Sequence, residues 1–519
     1  MRAPLFCLAL GAWLLLSASA GLAQAVVVSP GPDSVDVTVY RNPGRSADTP
    51  LELGWLGGYA LISETRRISI PAGETEIRFE GVAGGILPQS AIVTGFPDGI
   101  VERNRDAYLL SPGTLLDRSL GRSVHLRRTN LATGEVREQE VVIRSSASGA
   151  VVLQTGEGFE TLRCTGLPET LVYDSVPSGL SSKPTLSVRT RSSAPVTAMV
   201  TLSYLATGFD WQANYIGTLS ADGRRLDLFA WLTLANGDET SFVNADTQAV
   251  AGRLNREEVA PERPVALPLQ LDCWPQATTS SLPLAGAPPP PPAPPMLDEM
   301  RARVGAVRNE SIVVTGSRIM ARQEELGDLK LYRIPEPVTV AANSQKQVAL
   351  LRRENVEVRM VYRRLLAAGS TYDSSPAERY LVTRNRAAEG LGLPLPSGGV
   401  SLFTPREGRP ILIGEGAVED SAIGDDVEIR VGEAPGVLVQ VEELDDEDEE
   451  KQGTDYRVTV SNDQAVPVQF EGEFNLDDDV EFQPGRRLPR RDGRPLWSVR
   501  VPANGTAVLQ YSVIHREED

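Results

Sequence analysis

Apolar and polar residues alternate with a period of two along most of this chain. In "GFDWQANYIGTLS" (208–220) that beat places Trp211, Ala213 and Tyr215 on one face of a strand, with Gln212 and Asn214 on the other. The next segment, "RRLDLFAWLTLAN", sets Leu226, Leu228, Ala230, Leu232 and Leu234 on one face. Asp222-Gly223 between them is a strong hairpin signal. Trp211 and its neighbours have two readings, a ligand-stacking constellation or one strand of a core. Aromatics at strand spacing are ordinarily structural, which favours an antiparallel sheet packed face to face on another.

The same period recurs in "DVTVY" (36–40), "ETEIRFEGV" (74–82), "EQEVVIRS" (138–145), "GAVVLQT" (149–155), "PVTAMVTLSYLA" (195–206), "NVEVRMVYRR" (355–364) and "DYRVTVSN" (455–462). Helical periodicity is weak. "PGTLLDRSLG" (112–121) predicts one short helix and "PMLDEMRARVGAVRNE" a frayed one. The fold class is therefore all-β: several antiparallel β-sandwich domains plus a small barrel. Four short strands between Gly121 and Gly166 have the spacing of an SH3-like barrel, or of a plain meander.

At the C-terminus, "LWSVRVPANGTAVLQYSVI" places Trp497, Val499 and Val501 on one face, and Leu509, Tyr511 and Val513 on one face of the next strand. A two-residue Asn504-Gly505 loop would put the two apolar rows on opposite faces. The expected loop is thus Ala503-Asn504-Gly505 with Gly505 left-handed, which sets Trp497 across from Tyr511.

Composition alters the plan at both ends of the middle region. "TTSSLPLAGAPPPPPAPPMLDEMRARVGAVRNES" carries a proline run that cannot join a sheet ladder, so 274–328 reads as a disordered Pro-rich insertion whose flanks belong to one fold. The first residues, "MRAPLFCLALGAWLLLSASAGLAQA", combine Arg2, a short apolar run and Ala23-Gln24-Ala25, the pattern of a cleaved secretory signal. No later run approaches the ~18 apolar residues of a membrane helix. The expected division is a signal peptide (1–25), an N-terminal β domain (26–104), a small barrel-like unit (105–182), a central sandwich in two parts (183–273 and 329–385) around the insertion, and a C-terminal sandwich (386–519). The expected location is the periplasm or exterior of a Gram-negative bacterium.

The formal charge of −18 argues against nucleic acid as partner. Cys164 and Cys273 would survive export. In an oxidising compartment they form a disulfide or stand as two buried thiols, and sequence leaves both open.

Four blocks resemble domain-of-unknown-function family 4139, which includes the mucoidy-inhibitor-A-like exported bacterial proteins. They are "LSYLATGFDWQANYIGTLSADGRRLDLFAWLTLANGDETSFVNADTQAVAGRLNR", "LYRIPEPVTVAANSQKQVALL", "GLGLPLPSGGVSLFTPREGRPILIGEGAVEDSAIGDDVEIRVGEA" and "WSVRVPANGTAVLQYSV". Residues 68–95 more weakly resemble the N-terminal domain that often accompanies it. The resemblance implies an exported, mostly β protein and transfers no catalytic or ligand-binding residue.

Candidate chemistry is sparse. His125 and His515 are the only histidines, which nearly excludes a histidine triad or a multi-histidine metal site. His125 reads as an exposed strand residue. No H-E-x-x-H, C-x-x-C, G-x-S-x-G or phosphate-binding loop occurs. The acidic runs "EELDDEDEEKQGTD" (442–455) and "NLDDDVEF" (475–482) read as solvated loops and lack calcium-loop spacing. "ESIVVTGSRI" (310–319) is similar to a stretch near the mature start of TonB-dependent receptors. It is read as linker, with a tethered strand-forming peptide as the alternative. The functional expectation is a non-enzymatic protein, without cofactor, that binds or helps assemble an envelope protein or glycan. The alternative is a carboxylate-based hydrolase of envelope polysaccharide.

Overall fold

The computed structural model describes residues 25–515 apart from 48, 106–107, 131–132, 146–150, 163–168, 178, 253–265, 269–319, 327–328, 445–452 and 478–479. The regular structure of the described chain is nearly all strand, in several sheets. Its one α-helix among the described residues, Pro112–Arg118, falls where the sequence predicts it. Ser111 caps it, accepting a hydrogen bond from the Thr114 amide.

The stretch around Trp211 forms the centre of a five-stranded sheet. Phe209–Leu219 pairs antiparallel with Arg225–Asn236, and Ala213 lies opposite Leu232. Gly223 takes φ +71 in the turn between them, the conformation a glycine adopts without cost. Trp211, Ala213 and Tyr215 are buried, as are Leu226, Leu228, Ala230, Leu232 and Leu234. The Trp211 indole N–H donates to the Val250 carbonyl (2.9 Å), so the ring is core and its one polar atom is satisfied. On its other edge, Phe209–Leu219 pairs parallel with Gly398–Arg406. Five strand pairs among the described residues are parallel, so the sheets are mainly but not purely antiparallel.

Segments 26–104 and 183–273 interleave. Thr185–Ser192 lies between Gly73–Glu80 and Ile100–Arg105 in a four-stranded sheet. Tyr59–Ile70 pairs along its whole length with Val196–Thr207 in the eight-stranded sheet. One hydrophobic core runs through these two sheets and the five-stranded one. A domain boundary placed at 104 or 183 therefore cuts through shared sheets.

The small unit has five strands. Ser123–Thr129, Val136–Ile143, Val151–Thr155 and Gly158–Leu162 form a meander, and Glu169–Val172 adds to the first of these. Together they form a half-barrel over Leu126, Val141, Ile143 and Leu153. Arg128 ties its two outer strands, reaching Glu160 (2.5 Å) and Glu169 (3.2 Å).

The flanks of the proline-rich segment do share a sheet: Phe242–Ala251 pairs antiparallel with Leu329–Arg333. The expected insertion is nevertheless too long at its C-terminal end, because Arg322–Leu326 forms the next strand of that sheet. Residues 311–319 lie outside the described part. Deleting 277–315 and joining the flanks with a Gly/Ser linker is expected to move the thermal midpoint by only a few degrees, since loop length costs ~0.6 kcal/mol per doubling. Circular-dichroism melting checks this. A fall of about 10 °C, several kcal/mol at this size, would place the deleted residues in the core.

Two expectations are corrected in the C-terminal half. The single strand expected at 355–364 is two. Ser344–Glu357 belongs to the five-stranded sheet and Arg359–Ala367 to a nine-stranded one, with the chain changing sheets at Val358. The terminal hairpin also does not form. Arg494–Val501 pairs with Val468–Asn475, and Gly505–His515 pairs with Thr454–Asn462 and Val480–Pro484. Trp497 lies opposite Gly472 and Tyr511 opposite Tyr456. The nine-stranded sheet curls so that both strands face one core, which holds Trp497, Tyr511, Phe470 and Phe474. The two apolar rows meet across that core, and no register shift is needed. Buried Asn462 anchors the arch, donating from Nδ2 to the carbonyls of Val466 (2.9 Å) and Pro502 (2.8 Å). The left-handed residue there is Asn504 (φ 49), not Gly505.

Candidate functional site

Where the nine-stranded sheet meets the loop 419–421, a polar groove of about 800 Å³ opens. Its walls include Arg363, Tyr380, Glu428, Glu473 and Arg491, together with Glu419 and Ser421 of that loop. Strand alternation brings these groups together: Arg363 and Glu428 project from two strands of the sheet, and Glu471 and Glu473 from a third, two residues apart on one face. The loop wall is fixed from behind. Arg41 donates to both carboxylate oxygens of Asp420 and to Ser397 Oγ (2.6 Å), and the Ser397 amide donates to Asp420 (2.8 Å).

Ion pairs dominate the floor. The Arg363 guanidinium forks onto Glu428 (2.5 and 2.8 Å) and donates through Nε to Glu471 (2.9 Å), while stacking over the Tyr380 ring at 4.9 Å. Arg491 holds Glu471 (2.7 Å) and Glu473 (3.2 Å). Arg430 takes Glu378 (2.5 Å), which also accepts from the Tyr380 hydroxyl (2.9 Å). Arg384 takes Asp426 (2.9 Å). Burial works against the charge on Arg363, but the hydrogen bonds and charges of Glu428 and Glu471 outweigh it and push its pKa up. Burial also pushes the Tyr380 hydroxyl up, with Glu378 adding to the effect. For Glu471, burial raises the carboxyl, yet hydrogen bonds from Arg491 and Arg363 prevail and hold it below its ordinary value of 4.5.

That depressed pKa fixes a sign. A carboxylate held below its unfolded value stabilises the fold above that value, and the benefit fades as pH falls through the folded pKa. Glu471→Gln is expected to cost about 2–3 kcal/mol at pH 7, less than the ~3–5 kcal/mol of a fully stranded buried charge because Arg363 keeps Glu428. The difference between wild type and variant, read by urea unfolding, is expected to be flat at neutral pH. It should shrink once pH drops below the ordinary carboxylate range.

The other sequence candidates fall elsewhere. Cys164 and Cys273 both lie outside the described residues, as do 445–452 of the acidic run; Leu444 and Asp455, on either side of the latter, pair antiparallel. His125 is part-exposed on its strand, 3.3 Å from Asp174 and 3.6 Å from Glu138. It does not line the groove. Sequence reading missed a carboxylate pair made by parallel pairing: Asp36 is the registered neighbour of Asp246. Burial and the Asp246 charge raise the Asp36 pKa, against the pull of Arg333. Both residues are exposed on their sheet. Nothing local in "SVDVTVY" or "VNADTQ" connects two strands about 200 residues apart.

Among the described residues, no cluster of three or more His, Cys, Asp or Glu is arranged to hold a metal ion, and no helix is long and apolar enough to cross a membrane. A scan against protein-family profiles and a search of curated proteins both return no match.

Proposed function

We propose that this chain is an exported, non-enzymatic β protein of a bacterial envelope, which binds or helps assemble envelope components. The observation that carries the reading is the state of the groove carboxylates. Four of the six carboxylates that line the groove, Glu378, Asp426, Glu428 and Glu473, each accept an ion pair from an arginine, while Glu419 and Asp492 have none with a described residue, so most of the groove's charge is a fixed mosaic suited to recognition. A glycosidase site needs one carboxyl free to carry a proton and a second facing it. The signal-like first 25 residues and the resemblance to domain-of-unknown-function family 4139 support export.

The second reading, a carboxylate-based hydrolase of envelope polysaccharide, draws on the Asp36 and Asp246 pair and the raised Asp36 pKa. Envelope fractionation with crosslinking tests the first reading, which expects the chain in the periplasmic fraction joined to an envelope protein or glycan. A cytoplasmic location, or no crosslinked partner, overturns it. Incubation with envelope glycans tests the second, and turnover abolished by Asp36→Asn would establish it in place of the first.

A further inference from the structure

Residues 485–500, "GRRLPRRDGRPLWSVR", hold six arginines and one aspartate in a chain whose net charge is −18. Arg491 is committed to Glu471 and Glu473. The other five, Arg486, Arg487, Arg490, Arg494 and Arg500, are exposed, and none forms an ion pair with a described residue. What sets the segment apart is density: five such arginines fall within fifteen residues of a chain in which acidic side chains outnumber basic ones by 69 to 51.

The backbone presents these cations in a fixed order. Arg490–Arg491 and Arg494–Val501 make a short hairpin whose two-residue turn, Asp492 (φ 48) and Gly493 (φ 83), has the left-handed conformations of a tight turn. Arg490 donates back to the Gly493 carbonyl (2.8 Å). Along the following strand, Pro495, Trp497 and Val501 are buried, while Arg494, Ser498 and Arg500 are exposed on the opposite face. Arg494 and Arg500 are six residues apart, a span of roughly 20 Å in extended chain. Arg486 and Arg487 lie in the connection that leads into the hairpin. Register sets Arg490 opposite Pro495 and Arg491 opposite Arg494, so the cations are carried on both faces of the hairpin and on its approach, and Arg491 and Asp492 at its turn also line the groove.

We infer that this arginine-rich hairpin and its approach bind a linear polyanion, an acidic polysaccharide whose carboxylate or phosphate groups are spaced along the chain and can pass around the turn. Guanidinium forks match both oxyanions in geometry. At physiological ionic strength charges beyond about 8 Å are largely screened, so the arginine cluster acts locally despite the acidity of the whole protein. A membrane surface fits less well, because none of the large exposed apolar side chains falls within 485–500 to enter a bilayer. The inference goes beyond the envelope reading and rests on the arginines alone, so fractionation and crosslinking can succeed or fail independently of it.

The test uses the full chain and fluorescein-labelled polygalacturonate, followed by fluorescence polarisation. Wild type is expected to bind, and binding is expected to weaken steeply as salt is raised from about 50 to about 300 mM. The variant Arg486→Gln/Arg487→Gln/Arg490→Gln/Arg494→Gln should retain the wild-type melting midpoint and bind at least roughly tenfold more weakly, as lost oxyanion contacts do. A control with the same charge change at other exposed arginines, Arg137→Gln/Arg191→Gln/Arg224→Gln/Arg352→Gln, should bind as wild type does. The inference is overturned if wild type fails to bind polygalacturonate, if neutral dextran competes equally, or if both variants weaken binding alike. Binding to phosphatidylglycerol vesicles without binding to polygalacturonate overturns it as well, and makes a lipid surface the ligand.

Discussion

Replacing Glu64 with leucine is expected to destabilise the N-terminal half by about 3–5 kcal/mol, because it strands a buried guanidinium. Glu64 and Arg66 are both 0% exposed, two residues apart on the strand Tyr59–Ile70 and directed into the core between two sheets. The Arg66 guanidinium donates to Glu64 Oε2 through Nη2 (2.5 Å) and Nε (3.0 Å), and to the carbonyls of Ser29 (2.7 Å) and Glu80 (3.0 Å). The Tyr204 hydroxyl donates to Glu64 Oε1 (2.6 Å) and accepts from the Ala83 amide (3.0 Å). Burial pushes the Tyr204 pKa well up, with the Glu64 charge adding to it, so the hydroxyl stays a donor. Four segments thus meet at one satisfied polar knot. Thermal melting should show the loss as a fall of about 10 °C. The double variant Glu64→Leu/Arg66→Leu removes both charges and is expected to recover part of that loss, since a matched buried pair is often replaceable by apolar groups. A double variant as unstable as the sum of the singles would mean that shape, not stranded charge, sets the cost.

The knot was more legible than it first looks. Ala60, Ile62, Ile68 and Ile70 are buried at the same parity as Glu64 and Arg66, so the alternation points two charges of opposite sign inward. Where pairing is local, the pattern carried the structure directly, as with Trp211, Ala213 and Tyr215 beside the Asp222-Gly223 turn. Where pairing is distant it could not. Parallel contact of Ala25–Ser29 with Gly73–Glu80, or of Asp36 with Asp246, leaves no trace in either segment alone. The C-terminal hairpin failed for a related reason. Turn chemistry at Asn504 is the same whether the chain folds back within a sheet or arches over a core, and Asn462, some forty residues upstream, decides between them. The groove was illegible altogether, because Arg363, Glu428, Glu471 and Arg491 look like ordinary solvent-facing charges until four strands converge.

The second large effect is expected at Gly398, on the parallel seam that joins Gly398–Arg406 to the centre of the five-stranded sheet. A Cβ placed there would lie 1.9 Å from the Ala213 carbonyl oxygen and 2.7 Å from its carbon. Ala213 is itself the registered partner of Gly398 and is 0% exposed, flanked by Trp211 and Tyr215, so its backbone has no room to retreat. The position shows no left-handed φ, so close approach rather than conformational freedom is what requires glycine. Gly398→Ala should therefore cost about 3 kcal/mol, at the upper end of what overpacking a well-filled core produces. Gly399, one residue on, supplies the control: its Cβ would meet nothing closer than the Gly416 carbonyl at 4.0 Å, and Gly399→Ala should leave the melting midpoint near that of wild type. The contrast also reaches the groove. The strand begun by Gly398 continues through its hairpin to Arg409–Val418 and then to the loop that carries Glu419 and Ser421. If Gly398→Ala opens the seam, that wall should loosen with it. Protection of the 414–421 amides from hydrogen exchange should fall in Gly398→Ala and stay unchanged in Gly399→Ala; equal protection in both would show that the wall is held by Arg41 and Asp420 alone.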